Sequence, residues 1–331
     1  MQYTRLGSTG LTVSRLALGC MSYGDASRGG HPWVLDEDAA ATFFRQAVEL
    51  GITFWDTANV YSAGSSEEFV GRAITRFSRR EDVVLATKLH GRMHDGPGGS
   101  GLSRRAVLEQ VDASLTRLGT DYIDLYQIHR FDPATPVEET MEALHDVVRA
   151  GKVRYLGASS MAAWQFATMQ HAADLGGWTR FVSMQDHYNL LMREEEREMF
   201  PLLAHQGVGS IPWSPLARGR LARPWDATTD RVATDEFGKT LYQPDDARIV
   251  AAVAAVAERH EASMAAVALA WVLRNPVVDS PIVGATKAHH LTDAVAAFDV
   301  HLSEDDAAEL EAAYTPREPV GYAHTGPTAR S

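Results

Sequence analysis

Short apolar runs alternate with longer helix-period segments along almost the whole 331-residue chain, and this alternation limits the fold more than any other feature. The runs are apolar at successive positions, as is typical of parallel strands buried on both faces. The predicted strands are Leu16–Gly19, Thr53–Asp56, Val83–Lys88, Ile123–Ile128, Val153–Ala158, Phe181–Gln185, Gly209–Pro212 and Ser280–Val283. Repeated strand–helix pairs indicate a parallel α/β sheet. Eight of them favour closure into a (β/α)8 or TIM barrel, which takes about 250 residues.

The segments between the strands carry apolar side chains at helical spacing. Two stripes show it, formed by Val107, Val111, Leu115 and Leu118, and by Val137, Met141, Leu144 and Val148. Gly119 and Gly151 follow these stripes and can end both helices. Further helices are predicted over Asp36–Leu50, Glu67–Phe77, Ala162–Leu175 and Glu194–Gln206.

The residues in excess of those that a (β/α)8 barrel needs lie in four separate segments of the chain. Tyr3–Val13 is predicted to form an N-terminal β-hairpin that could close the bottom of the barrel. Met21–Leu35 and Arg218–Pro244 are long loops after the first and seventh strands. In a barrel they would rise at the C-terminal mouth, where active sites are built. Thr315–Ser331 is a tail with Pro, Gly and Thr. No linker interrupts the pattern, so residues 1–331 are predicted to form one barrel domain.

Composition and charge argue against several classes of partner. The net charge of −12 disfavours binding to phosphate backbones, so neither a nucleic acid nor a membrane is an expected partner. No run approaches about 18 consecutive apolar residues, and the N-terminus has no apolar signal core. The single cysteine, Cys20, fits a reducing compartment, so a cytoplasmic location is expected. His90 and His94 have i, i+4 spacing but lie in a glycine-rich loop, so no metal site is expected.

Polar, ionisable residues stand where three predicted strands end. Asp56, Lys88 and His129 occupy these positions, and Tyr61 follows five residues after Asp56. Each has an ordinary alternative when taken singly: a capping aspartate, a solvated lysine, a hydrogen-bonded histidine. Equivalent positions in a barrel would bring them together, and a phenol near an ammonium, a carboxylate and an imidazole can donate a proton to a carbonyl.

Several motifs in the same order resemble the aldo-keto reductase family, over about Tyr3 to Tyr314. They lie in residues 4–7, 18–19, 51–61, 118–129, 157–160, 211–216 and 281–287. The match resembles bacterial members close to the branch of the potassium-channel β-subunits. The resemblance is specific for the family and much less specific for the substrate.

The resemblance implies a catalytic tetrad of Asp56, Tyr61, Lys88 and His129. It implies that Tyr61 is a general acid and that the reaction is NADPH-dependent reduction of an aldehyde or ketone by hydride transfer. A free phenol has a pKa of about 10 and gives up its proton reluctantly. The Lys88 ammonium would favour the phenolate, Asp56 would keep Lys88 charged, and His129 would orient the carbonyl oxygen.

No Gly-x-Gly-x-x-Gly follows the first strand, so a Rossmann unit is not indicated. The resemblance instead implies that NADPH or NADP+ lies along the barrel mouth. Its contacts there would be Gly19, Met21, Asp56, Ser159, Ser160, Gln185, Trp213, Ser214, Pro215, Leu216, Ala217, Arg218, Gly284, Thr286, Lys287 and His290. Trp213 would stack on the nicotinamide, and the 2′-phosphate would sit at the start of the last barrel helix, where Lys287 favours NADPH over NADH.

The substrate pocket is expected at the mouth. From predicted loop positions, its candidate walls are Tyr23, Trp33, Tyr61, His90, His129 and Arg130. Aromatic walls suit an apolar or aromatic carbonyl compound. Arg130 could attract a carboxylate or phosphate, or could be a surface arginine.

Two other functions remain open from the sequence. One is an NADPH-binding regulatory barrel similar to the potassium-channel β-subunits, although those have Asn where this chain has His129. The other is a barrel lyase or isomerase without a nicotinamide. The physiological substrate, the direction of reaction and the oligomeric state are open as well.

Overall fold

The computed structural model describes residues 1–29, 31–227 and 234–319. Strands β1 (Tyr3–Arg5) and β2 (Thr12–Ser14) form an antiparallel pair near the N-terminus. The Leu6 N–H closes the turn between them by donating to the Leu11 carbonyl at 2.8 Å. This pair confirms the predicted hairpin, which extends one residue beyond its predicted end.

Within the described residues, eight parallel strands form the main sheet, one at each predicted position. They are β3 (Ala17–Gly19), β4 (Phe54–Asp56), β5 (Val84–Leu89), β6 (Ile123–Ile128), β7 (Val153–Ser159), β8 (Phe181–Gln185), β9 (Gly209–Ser210) and β10 (Ile282–Gly284). β9 ends before the predicted Pro212 and β10 begins after Pro281. Pro281 has no N–H with which to extend a ladder. Beyond β9, in contrast, backbone bonds to the β8 side continue from the Ile211 and Trp213 N–H groups.

The sheet closes on itself. Its strands follow one another in chain order, and β10 lies beside β3, where Leu18 pairs with Val283. β9 and β10 are joined by backbone contacts, among them the bond from the Ile282 N–H to the Pro212 carbonyl at 2.8 Å. This closure, with helices between successive strands, confirms the predicted (β/α)8 barrel.

The helices surround the sheet, and their ends follow the sequence signals. They are α1 (Glu37–Glu49), α2 (Ser65–Phe77), α3 (Arg104–Leu118), α4 (Val137–Arg149), α5 (Ala163–Gly176), α6 (Met199–Gln206), α7 (Glu236–Lys239), α8 (Ala247–Arg259), α9 (Met264–Arg274), α10 (His290–Ala296) and α11 (Glu304–Glu311). The Asp36 carboxylate accepts the Ala39 N–H at the start of α1. Gly119 ends α3 with a left-handed φ of 62°.

One predicted helix, Glu194–Gln206, is divided into two elements. Glu194–Glu196 forms a 3-10 turn, and only Met199–Gln206 is α-helical. Pro201 explains the division, because a helix from Glu194 would need an N–H at position 201. In α6 this proline falls in the first turn, where its missing N–H needs no partner.

The first predicted mouth loop, Met21–Leu35, is partly ordered by its own contacts. Tyr23 forms a bridge with Leu35, and Ala26–Arg28 is a 3-10 turn. The loop therefore folds back beside the strand ends, and its position is set by contacts that sequence spacing does not reveal.

The second predicted mouth loop, Arg218–Pro244, contains α7, and its residues 228–233 lie outside the described part of the chain. The predicted tail, Thr315–Ser331, is described as far as residue 319. Arg317 fixes this part by a two-pronged pair with Asp246, at 2.6 and 3.1 Å. The tail is thereby tied to a residue two positions beyond the second predicted mouth loop.

The apolar core has two layers. The lower interior of the barrel is filled by Leu6, Val13, Ala17, Phe54, Ala86, Leu125, Ile211 and Ile282. Leu6 and Val13 belong to the hairpin region, so the hairpin covers the bottom of the barrel as predicted. A larger layer lies between the sheet and the helices. No helix of the described residues is long and apolar enough to cross a bilayer.

Candidate active site

Three strands and one turn bring four polar side chains together at the C-terminal mouth. Asp56 ends β4, Lys88 lies near the end of β5, and His129 follows β6 directly. Tyr61 begins the turn that follows β4. Because β4, β5 and β6 are neighbours in a parallel sheet, their carboxyl ends meet on one side of the mouth.

Lys88 is the centre of this group, and its side chain has no exposed surface. Its Nζ donates to Asp56 Oδ1 at 2.5 Å and to the Thr57 carbonyl at 2.8 Å, and it lies 3.4 Å from Tyr61 Oη. An ammonium has three N–H donors, so all three are directed at protein oxygens. Burial alone would lower the pKa of Lys88, but Asp56 and Tyr61 outweigh burial and raise it. Lys88 is therefore a buried cation beside a phenol.

Two amides hold the second oxygen of Asp56. Its Oδ2 accepts from Gln127 Nε2 at 2.9 Å and from Gln185 Nε2 at 3.0 Å. Gln127 lies within the motif of residues 118–129, but sequence reasoning gave it no role in the site. Its place opposite Lys88 in the β5–β6 ladder is the signal that could have found it. These bonds fix the direction in which the carboxylate meets the Lys88 ammonium.

The imidazole of His129 lies edge-on to Tyr61, with ring centroids 5.7 Å apart and an interplanar angle of 80°. Burial, followed by the positive charges of Lys88 and Arg130, holds the pKa of His129 well below its usual value. The ring is therefore neutral, with one N–H donor and one acceptor. Arg130 supports the segment by donating from Nη1 to the His129 carbonyl at 2.6 Å.

The turn that carries Tyr61 is strained. Ser62 and Ala63 have left-handed φ angles of 45° and 48°, which cost a residue other than glycine about 1 kcal/mol or more each. Two contacts hold the turn in this shape. The Ser65 hydroxyl donates to the Ser62 carbonyl at 2.8 Å, and the Arg28 guanidinium donates to the Ala63 carbonyl at 2.9 Å. Sequence reasoning missed both, since neither position forms a motif.

A cavity of about 860 Å³ opens beside these residues. Tyr61 and His129 line it together with residues around β10. Its size is that of a site for a sizeable organic ligand. The mouth of the barrel therefore offers both the reactive side chains and the space for a large ligand.

Most of the residues predicted to bind a cofactor line this cavity. They are Gly19, Met21, Asp56, Ser159, Gln185, Trp213, Ser214, Pro215, Leu216, Arg218, Gly284, Thr286, Lys287 and His290. Ser160 and Ala217 are not in the lining. Ser160 is buried and its Oγ accepts the Trp213 Nε1–H at 3.0 Å, so its side chain is committed to the indole. Ala217 is fully buried in the apolar layer.

Trp213 lines the cavity. His187 covers one face of its indole, in a parallel stack with centroids 4.0 Å apart and an interplanar angle of 11°. The backbone N–H of Trp213 donates to the Asp186 carbonyl at 2.7 Å. Ser159 and Gln185, which end neighbouring strands, line the cavity near this ring. A flat surface with hydroxyl and amide groups close by suits a planar ring that carries a carboxamide.

Lys287 and Arg223 give the region around β10 positive charge, and His289 and His290 line it as well. Sequence reasoning missed Arg223 and His289. Burial, followed by the neighbouring His289 and Lys287, lowers the pKa of His290 to about 4. The neutral ring accepts the Thr286 N–H on Nδ1 at 3.2 Å. The cationic side chains here suit a phosphate group.

Among the predicted substrate walls, Trp33, Arg130, Tyr61 and His129 line the cavity. Phe237 and His31 line it as well and were missed, since loop residues at these positions carry no pattern. His31 stacks on Trp33 with centroids 4.5 Å apart. These rings give the mouth an aromatic wall.

Tyr23 and His90 do not line the cavity, contrary to their predicted role. Tyr23 is fully buried against Phe43 and Phe44, and its hydroxyl donates to the Ala285 carbonyl at 2.9 Å. His90 follows β5 with an unusual backbone φ of 124°. Its imidazole is largely buried, and this burial lowers its pKa. The direction of a loop side chain depends on tertiary contacts, and spacing from a strand end does not fix it.

The other histidine and cysteine side chains considered in the sequence analysis, His94 and Cys20, form neither a metal site nor a reactive thiolate. No group of three or more His, Cys, Asp or Glu residues in the described part of the chain could hold a metal ion. His94 bonds through Nε2 to Glu109 at 2.8 Å. Cys20 lines the cavity, but burial raises the pKa of its thiol well above the usual value, so it stays protonated.

The fold and this set of side chains define a class, the oxidoreductases that act on carbonyl compounds. Within that class, the chain belongs to the aldo/keto reductase family, whose sequence pattern matches residues 15–315. The family predicted from the motifs is thereby confirmed.

Similar proteins of fungi cover nearly the whole chain. The chain is 46% identical over 340 residues to the versiconal hemiacetal acetate reductase of Aspergillus parasiticus. That alignment covers 96% of this chain and 98% of the reductase. It is 45% identical over 340 residues to a putative aryl-alcohol dehydrogenase of Schizosaccharomyces pombe, covering 95% and 96%. A putative aryl-alcohol dehydrogenase of Saccharomyces cerevisiae is 40% identical over 341 residues, covering 96% and 98%.

Proposed function

We propose that this protein is an NADPH-dependent reductase of aldehydes and ketones with Tyr61 as its general acid. One observation carries the proposal. Lys88, fully buried and bonded to Asp56, lies 3.4 Å from the hydroxyl of Tyr61 at the edge of the cavity. A phenol in that position can lose a proton because a cation stands ready beside its anion.

The residues of the cavity fit a nicotinamide dinucleotide phosphate. Ser159 and Gln185 would hold the carboxamide beside Trp213, and the cations around β10 would hold the phosphate groups. The Gln185 amide supports this assignment, because its Nε2 donates to Asp56 and Gln127 and leaves its oxygen as the acceptor. When bound, the reduced nicotinamide supplies a hydride. Lys287 and Arg223 favour NADPH over NADH.

The side chains of this protein would manage the proton. Tyr61 holds it at Oη and would donate it to the carbonyl oxygen of the substrate. The phenolate that remains would be stabilised by Lys88, which Asp56 keeps in place. His129 is neutral and can give a hydrogen bond to the same carbonyl oxygen. General acid catalysis of this kind contributes about 10²–10⁴-fold, and positioning of the reactants supplies the rest.

Aromatic aldehydes are the proposed substrate class. Trp33, His31 and Phe237 supply an aromatic wall. Two similar proteins are named as putative aryl-alcohol dehydrogenases, which agrees with such substrates. The single cysteine supports work in a reducing compartment, so we place the enzyme in the cytoplasm.

Replacement of one hydroxyl tests the proposal. We expect Tyr61→Phe to lower kcat for 4-nitrobenzaldehyde by about 10²–10⁴-fold, because the general acid is lost. NADPH affinity, measured by quenching of tryptophan fluorescence, should change little. Tyr3→Phe is the matched control, because Tyr3 is half exposed on the hairpin and remote from the mouth.

Normal turnover by Tyr61→Phe would overturn the assignment of the acid. If the native protein binds NADPH tightly but reduces no aldehyde, ketone or sugar of a broad panel, the regulatory alternative would replace the enzymatic one.

A further inference from the structure

His187 stands directly behind the cavity and takes no part in the proposed reaction. Its side chain is buried and does not line the cavity, and its ring stacks on one face of Trp213, which does. The neighbouring Asp186 carbonyl and the Ser160 hydroxyl hold the backbone and the indole nitrogen of Trp213. The imidazole, stacked on the ring, therefore limits how far the indole can tilt.

The imidazole also contacts the end of the second mouth loop. His187 Nε2 lies 3.4 Å from the hydroxyl of Tyr242, and the two rings meet edge to face with centroids 6.3 Å apart. Tyr242 lies five residues beyond Phe237, which lines the cavity. Three rings thus stand in contact, from the cavity surface at Trp213 to the loop at Tyr242.

One unbonded nitrogen of His187 raises the question of why this position holds a histidine and not a phenylalanine. Its Nδ1 is buried and has no hydrogen-bond partner among the described residues. Such an atom costs about 1–3 kcal/mol. A phenyl ring at this position would provide the same stack without that cost. What the imidazole adds is the polar contact with Tyr242.

The charge of this ring is fixed across the useful pH range. Burial, followed by the positive charges of Arg218, Arg130 and Arg317, lowers the pKa of His187 to about 3. The neutral ring can stack closely on the indole and keep one polar contact, whereas a buried imidazolium beside three arginines would be repelled.

We propose that His187 is a positioning residue that holds the indole of Trp213 in plane for a flat ligand ring and is itself held by Tyr242. This role rests on the proposed function, because the flat ring is the nicotinamide of NADPH. It assigns a task to two residues outside the cavity lining.

The test has one readout that needs no cofactor. The protein contains seven tryptophans, so labelling with 5-fluorotryptophan should give seven 19F signals, with that of Trp213 identified in Trp213→Phe. We expect His187→Leu and His187→Phe to move the Trp213 signal. Tyr242→Phe should move it in the same sense by a smaller amount. His301→Leu, at an exposed histidine, is the control and should leave the signal in place.

The second readout is the dissociation constant of NADPH, compared with the unfolding midpoint. His187→Leu should weaken binding by about three- to tenfold, the effect of one aromatic pair. His187→Phe and Tyr242→Phe should each weaken it by about two- to fivefold, the effect of one polar contact, and the double variant should be no worse than either. His187→Phe should keep or raise the unfolding midpoint, because it removes the orphaned nitrogen. If His187 only stabilised the fold, its variants would lower the unfolding midpoint and leave the dissociation constant of NADPH unchanged.

Two results would overturn the positioning role: an unchanged Trp213 signal in both His187 variants, or additive effects of the His187 and Tyr242 changes on NADPH affinity. A native protein that binds no NADPH would instead contradict the proposed function. In that case the 19F signal alone still decides whether His187 positions the indole.

Discussion

At the scale of single residues, the site depends on buried charges that are matched by neighbours. Lys88 is surrounded by protein oxygens, and Asp56 is bonded on both of its oxygens. Arg130 is one of the charged groups that line the cavity. Burial lowers the pKa of its guanidinium, and its Nη1 donates to the His129 carbonyl. It could bind an anionic substrate or only support His129.

The two roles of Arg130 can be separated with a pair of substrates. If it binds an anion, Arg130→Met should lower kcat/KM for 4-carboxybenzaldehyde about 10–100-fold more than for 4-nitrobenzaldehyde, since a hydrogen bond to a charged group is lost. Arg130→Lys should restore part of the preference. An equal loss with both aldehydes would show that Arg130 acts only by supporting His129.

Asp186 gives a pH-dependent prediction. It is buried with one hydrogen bond, from Ser210 Oγ at 2.8 Å, and burial raises its pKa to about 7. The unfolded value is about 3.9, so the folded state holds a proton between these values and loses stability as pH rises towards 7. We therefore expect Asp186→Asn to become more stable relative to the native protein, by on the order of 2–3 kcal/mol, between pH 5 and pH 8.

Urea unfolding of both proteins at several pH values measures this difference. Asp245→Asn, at an exposed aspartate, is the control and should show no comparable trend. A stability difference that stays constant from pH 5 to pH 8 would contradict the buried, protonated state of Asp186.

At the scale of elements, the helices depend on close approaches as well as on apolar stripes. α2 crosses α3 at Gly71, where a Cβ atom would lie 2.2 Å from the Leu118 carbonyl oxygen. Glu67 of α2 is bonded to both α3 and β5. It accepts from Nε of Arg117 in α3 at 2.6 Å and from Oγ1 of Thr87 in β5 at 2.6 Å. The α2–α3 contact thus supports the strand that carries Lys88.

Gly71→Ala should therefore destabilise the protein, although alanine is the better helix former. Helix propensity favours the change by about 1 kcal/mol. The clash with backbone costs more, because overpacking typically costs about 1–3 kcal/mol and here a whole helix must shift. Chemical denaturation measures the loss, with Gly10→Ala as control because no atom lies within 4 Å of its Cβ position. An unchanged or higher stability of Gly71→Ala would show that the helices do not approach so closely.

The strands could be predicted from the sequence because each is a local run of buried residues. The helix predicted over Glu194–Gln206 was wrong in its first half, and Pro201 contained the reason. The convergence of Asp56, Lys88 and His129 could be predicted from strand ends, because a barrel brings those ends together. Tyr23 and His90 could not, because tertiary contacts direct their side chains. Gln127 and His187 carry no local signal, since their roles arise from strands distant in the chain.

At the scale of the whole molecule, the two ends of the barrel have different tasks. The mouth carries the reactive side chains, and the bottom is closed by the hairpin. Asp279 ties the hairpin down, because its Oδ2 accepts the Gly7 N–H at 2.6 Å. Burial raises the pKa of Asp279 to about 6. That the whole chain is a single domain stays a prediction.

Asp279→Ala should lower stability without changing function. At pH 5, below the folded pKa of Asp279, we expect a loss of about 1–3 kcal/mol in the free energy of unfolding, because the Gly7 N–H loses its partner. NADPH affinity and kcat should stay at their native values, since the bottom is remote from the mouth. Asp279→Asn keeps an acceptor and should be less harmful. A large fall in kcat with little loss of stability would contradict this separation of tasks.

The pairing of β3 with β10 has a consequence for synthesis of the protein. Leu18 and Val283 are partners, although they come from opposite ends of the chain. A nascent chain on the ribosome therefore carries β3 with one unpaired side until β10 has been synthesised. During that interval the growing barrel presents open backbone to other molecules. Help from a chaperone would matter most just before the last strand emerges.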